Sequence, residues 1–133
     1  MAFIAVFAQN EPFERSQVVG CYVAPQAPSL EIGLNEIRVI ELEQRKLNYE
    51  PQPSKTSYVL NVRPALQLKP TANGQYTFEQ VRGIGYFWSL LPEDGVNRNR
   101  IRHPDEYSGR FEIHASDGKR LVYVRQTTSR LCE

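Results

Sequence analysis

Nine prolines and eight glycines fall mostly between short apolar runs, and that spacing leaves the chain few places to build a long element. In a helix interior glycine costs about 1 kcal/mol and proline about 3 kcal/mol relative to alanine, so pieces cut this way suit strands and turns better. The side chains agree: Val, Ile, Thr, Tyr, Phe and Trp number 37, against 9 for Ala and Met together. Branched and aromatic residues pack well on a pleated surface. At 133 residues the chain has the length of one domain, and a single β-rich unit over residues 1–133 is expected.

The most regular stretch is residues 58–70, where Tyr58, Leu60, Val62, Pro64, Leu66, Leu68 and Pro70 share one parity and Asn61, Arg63, Gln67 and Lys69 the other. That is the period of a half-buried strand, with Pro64 marking an edge or a bulge. Ala72-Asn73-Gly74 then reads as a three-residue hairpin loop, because this register sets Pro70 against Tyr76 and Leu68 against Phe78. Asp117-Gly118 suits a two-residue turn that pairs Ile113 with Val122, Phe111 with Val124 and Arg110 with Arg125. Further strands are expected at residues 2–8, 17–23, 30–32 and 37–43, with a turn at 33–36 and a proline-broken loop at 49–56. A helix over 34–47 competes with the strand there, and the β-branched residues favour the strand. About seven to nine short strands with little helix predict an all-β, antiparallel β-sandwich or small β-barrel.

Two cysteines, Cys21 and Cys132, are too few for a disulfide scaffold, and neither has zinc-ligand spacing. The expectation is a reduced, buried Cys21 in a cytoplasmic protein. Val18-Val19-Gly20-Cys21 has the form of a lipoprotein cleavage site, but the polar residues 9–16 before it supply no hydrophobic feed. The apolar run at 2–8 is far shorter than the ~20 residues of a membrane span.

No catalytic signature stands out. Gly83-Ile84-Gly85 lacks the third glycine of a dinucleotide loop and reads as a bend within a strand. His103, Asp105, Glu106 and His114 offer ligand types without a metal-binding spacing. No cofactor or metal is expected, and no motif ties the chain to a known family.

The formal charge of +1 argues against a protein that coats duplex DNA by bulk attraction, yet it hides an asymmetry. Residues 1–66 carry 6 basic and 7 acidic side chains, residues 67–133 carry 10 and 8, and Arg outnumbers Lys by 12 to 4. Arg98, Arg100 and Arg102 alternate, so an extended chain projects all three to one side. With Arg110 and Arg125 they form a candidate anion-recognition surface, since the planar guanidinium matches carboxylate and phosphate. Ion pairs with Glu93, Asp94, Asp105 and Glu106 are the ordinary alternative use of these arginines.

The expected function is non-enzymatic binding of an acidic protein partner, with no membrane involved and self-association conceivable. Tyr107 and Tyr123 beside the arginines suggest a second reading, single-stranded nucleic acid held by base stacking. A third reading is a ligand-binding barrel or small hydrolase using Glu112, His114 and Tyr123.

Overall fold

The computed structural model describes residues 12–41, 45–54, 57–83, 85–93 and 101–126. The strand expected at 2–8 and the arginines at 98 and 100 lie outside them. Ten strands follow in order: β1 (Gly20–Val23), β2 (Ser29–Ile32), β3 (Ile37–Ile40), β4 (Arg45–Pro53), β5 (Tyr58–Arg63), β6 (Leu66–Pro70), β7 (Tyr76–Gln80), β8 (Tyr86–Leu91), β9 (Arg110–His114) and β10 (Arg120–Arg125). Eight of them close an antiparallel barrel in the order β1-β10-β9-β8-β5-β4-β3-β2, and β6 and β7 form a separate hairpin. The all-β expectation holds, and closure decides barrel over sandwich. No helix among the described residues is long and apolar enough to cross a membrane.

An eight-stranded barrel is just wide enough for side chains to fill it or for one small ligand to enter. Here large side chains occupy the axis. Trp88 stacks on Phe111 at 5.4 Å and Phe111 on Tyr123 at 5.3 Å, while Tyr22 and Phe78 close on the same group at 4.9 Å from Phe111 and 6.2 Å from Trp88. All five are buried. The Trp88 indole N–H has no hydrogen-bond partner among the described residues, a cost of about 1–3 kcal/mol.

Both ends are covered. The β6–β7 hairpin leaves the wall between β5 and β8 and lays Leu66, Leu68, Tyr76 and Phe78 on the core. It is fastened by Ser116 N–H to Leu68 O at 2.8 Å and Tyr76 N–H to Gln26 O at 2.7 Å. At the other end Phe13 packs on Tyr58 and Tyr107, and Gln17 Nε2 donates to Pro104 O at 3.2 Å.

The Ala72-Asn73-Gly74 loop takes the expected register, with Pro70 against Tyr76, Leu68 against Phe78, and Gly74 at φ +83. The regular 58–70 stretch is two strands, because the chain leaves the barrel at Pro64. The loop expected at 49–56 is instead strand β4 as far as Pro53. Its prolines are tolerated because β3 pairs with β4 only from Arg45 to Leu47, so Pro51 and Pro53 have a neighbour on one side alone. The strand expected at 17–23 begins only at Gly20, after a single 3-10 turn at Arg15–Gln17.

The C-terminal hairpin departs by one residue. Ala115 N–H bonds to Lys119 O, Gly118 adopts φ +86, and the loop is Ser116-Asp117-Gly118. The pairs are therefore Ile113 with Leu121, Phe111 with Tyr123, and Arg110 with Val124. A one-residue slip turns every side chain of a strand to the other face. Tyr123, expected outside, is in the core, and Val124, expected inside, is exposed.

Cys21 is buried but forms a disulfide rather than a free thiol, and the sequence holds one other cysteine, Cys132. The expectation of a reduced thiol fails because two cysteines, too few for a disulfide scaffold, still suffice for one bridge.

Candidate functional site

The outer faces of β8, β9 and β10 form a small grid fixed by the ladder register. One row is Ser89, Glu112 and Val122, and a second is Arg110 and Val124, whose ladder neighbour Leu91 is buried. Extending the same register by two residues gives a third row of Phe87, His114 and Arg120. Phe87 is 62% exposed and Val124 41%, while their neighbours Trp88 and Tyr123 are buried. The alternation of the strands produces this contrast.

At the grid's centre the Arg120 Nε donates to Glu112 Oε1. Arg110 Nη1 donates to Pro92 O at 2.8 Å and so ties β9 to the segment after β8. His114 is exposed. Lys119 ends the hairpin loop, and its Nζ makes no ion pair within 4.0 Å among the described residues. Beside β10 lies a hollow of about 460 Å³ lined by Pro25, Gln26, Tyr76, Lys119, Arg120, Leu121 and Val122. A Tyr76 hydroxyl bond to Asp117 Oδ2 at 2.7 Å forms one rim. That bond raises the Tyr76 phenol above its usual range, and it holds the Asp117 carboxyl below the ordinary one.

Of the expected arginine cluster, Arg102, Arg110 and Arg125 are among the described residues. Arg102 is exposed, with its backbone N–H bonded to Glu106 Oε1 at 2.7 Å, and it belongs to no strand. Arg125 does not face Arg110 across the hairpin. It lies opposite Tyr22, where its Nη1 donates to Gln17 O at 2.9 Å and Val19 O at 3.2 Å. Its guanidinium sits 5.8 Å from the Tyr22 ring centre and 5.5 Å from that of Tyr107. It is a fastener between β10, the approach to β1 and the segment before β9.

Tyr107 is part of the same fastener. Tyr22 gives its one hydroxyl proton to Val18 O at 2.8 Å, so Tyr107 donates to the Tyr22 oxygen at 2.8 Å. Burial raises both phenols above the usual range, and the Arg125 charge only partly opposes it. Tyr123 donates to Pro28 O at 2.8 Å, and burial raises its phenol too. Tyr123 is buried, and the partly buried Tyr107 ring has Arg125 over it and Phe13 at 5.7 Å, an arrangement that disfavours base stacking. Nor does the structure bring Glu112, His114 and Tyr123 together: Tyr123 points into the barrel and the other two point out. Among the described residues, no group of three or more His, Cys, Asp or Glu is placed to hold a metal.

Phe87, Lys119, Arg120, Val122 and Val124 were not legible as site residues because the hairpin register decides which of them face outward. Comparison with protein-family models, curated proteins and solved structures finds no match for this chain.

Proposed function

We propose that this domain is a non-enzymatic binding module that recognises an acidic protein partner through an arginine-bearing surface in its C-terminal half. One observation supports the reading most directly: exposed Phe87 and Val124 share a sheet wall with Arg110, Arg120 and the neighbouring Lys119. Aromatic and arginine side chains are the types enriched at protein interfaces, and charge complementarity selects the partner. The filled axis and covered ends favour a ligand held outside the barrel. Arg125, Tyr107 and Tyr123 leave the proposed surface, Arg102 and Arg110 remain, and Lys119 and Arg120 join it. The disulfide at Cys21 favours action in an oxidising compartment over the cytoplasm.

The test is binding of fluorescent poly-L-glutamate at low ionic strength. Binding that weakens with added salt and is lost in a Lys119→Glu, Arg120→Glu double variant supports the reading. Equal binding by wild type and variant, or preference for a single-stranded oligonucleotide, rejects it. Size-exclusion chromatography alongside identifies self-association as the competing use of the surface.

A further inference from the structure

The barrel closes imperfectly beside β10. β1 pairs with β10 only at Tyr22 and Val23, and the chain then turns away, with Ala27 N–H bonded to Ala24 O at 3.4 Å. Successive N–H groups of a strand point to opposite sides. Arg125 N–H bonds to Gly109 O, on the β9 side, and Gln126 N–H to Cys21 O, on the β1 side. By this alternation Val122 and Arg120 turn their N–H and C=O groups away from β9, toward the line β1 would have continued. Pro25, which falls opposite Val122 on that line, has no N–H to give. No hydrogen bond reaches this flank at Arg120 or Val122 among the described residues.

The 460 Å³ hollow lies along this flank. Its lining is apolar at Pro25, Tyr76, Leu121 and Val122, and it includes no acidic residue. Of the charged groups, Arg120 spends only Nε on Glu112, and its Nη nitrogens make no bond among the described residues. Asp117, just outside, is held by the Tyr76 hydroxyl and by Lys119 N–H at 3.0 Å.

We infer that this flank takes an extended segment of the acidic protein partner by strand addition, antiparallel to β10, in the place β1 vacates. The inference rests on the binding reading above and specifies its mode. An open strand edge supplies main-chain hydrogen bonds, while pockets for alternate side chains supply selectivity. Antiparallel register orders the occupant from N to C. An apolar residue lies beside Val122, a second points into the hollow against Tyr76 and Leu121, and a carboxylate follows beside Arg120. A further carboxylate then reaches Lys119.

The capped peptide Thr-Val-Leu-Glu-Asp-Thr follows that order and serves as the probe. Isotope-labelled full chain is titrated with it and amide shifts are followed by NMR. The expected result is saturable shifts centred on Arg120 and Val122. Affinity falls about tenfold or more when Glu and Asp become Gln and Asn, and when the peptide's pairing amides are N-methylated. A Val122→Pro variant removes the flank donor without touching the β9 ladder and loses binding likewise. If that variant does not fold, the N-methylated peptide decides alone. Undiminished binding by the N-methylated peptide overturns strand addition, as do shifts confined to Arg102 and Arg110. In both those cases a loss of binding in the Lys119→Glu, Arg120→Glu variant leaves the acidic-partner reading standing. Absence of binding by both this peptide and poly-L-glutamate removes both.

Discussion

Gly20→Ala and Arg125→Ala are expected to be strongly coupled. Gly20 sits at φ +154, and a Cβ there would lie 2.5 Å from Arg125 Cδ and 3.0 Å from its Cγ. The alanine variant must therefore displace the Arg125 side chain. Displacement breaks the bonds to Gln17 O and Val19 O and the contact with the Tyr22 and Tyr107 rings. Hydrogen bonds from a charged donor contribute about 1.5–3 kcal/mol each, and the half-exposed setting argues for the low end. With about 0.5–1 kcal/mol for the ring contacts, Arg125→Ala alone costs about 3–4 kcal/mol. Gly20→Ala alone costs that loss plus about 1 kcal/mol for the backbone. In the Arg125→Ala background only the backbone part remains, so the coupling equals the Arg125 loss, about 3–4 kcal/mol. Urea unfolding followed by the fluorescence of the single tryptophan, Trp88, measures all four proteins. Additivity within about 0.5 kcal/mol refutes the fastener. Gly109→Ala is a useful contrast. Its Cβ would meet Arg125 Cβ at 3.0 Å, an atom that alanine keeps, so removing the guanidinium relieves less of the clash.

Three further outcomes are expected. Tyr22, Tyr107 and Tyr123 resist ionisation in the folded state, so their contribution to stability is complete below the ordinary phenol pKa of about 10 and disappears as pH rises above it. Absorbance at alkaline pH should show them ionising only with unfolding, and early reversible ionisation of all seven tyrosines counts against their placement. The Asp117 carboxyl is held below its ordinary value by Tyr76, so its contribution is present above about pH 4 and is lost as pH falls through the lowered value. Melting temperature against pH should therefore be flatter at the acid end for Asp117→Asn than for wild type, and parallel curves reject the bond. Thiol titration of the denatured, unreduced protein should find no free thiol. Cys21→Ser should lose about 2–4 kcal/mol of stability to urea, and two reactive thiols before reduction contradict the disulfide.

Local pattern carried the fold a long way. Alternation along residues 58–70 marked the strand residues though not the break at Pro64, and the apolar match of Leu68 with Phe78 placed a hairpin correctly. In the second hairpin the same criterion could not decide. The two-residue turn offers Phe111, Ile113, Val122 and Val124 as one apolar face, and the three-residue loop offers Phe111, Ile113, Leu121 and Tyr123. β10 is apolar on both parities, so packing of Tyr123 against the Phe111 ring selects the register, and that is a tertiary fact. The error carried directly into the candidate site, because it exchanged Arg125 and Tyr123 for Arg120 and Val122. Proline misled in a similar way at Pro51 and Pro53, whose tolerance depends on where β3 stops.

The route by which the barrel closes also has a kinetic meaning. All its neighbouring strands follow one another along the chain except β5 and β8, which flank a hairpin, and β1 and β10. Those last two meet through only two paired residues each, Tyr22 with Arg125 and Val23 with Val124. In the reduced chain a contact between residues 103 apart gains nothing until the intervening segment is ordered, so this seam is expected to form last during folding. In the folded protein the Arg125 fastener crosses this seam, so in the Arg125→Ala variant the amides of Val23 and Val124 should exchange with solvent well before those of the β4–β5 ladder.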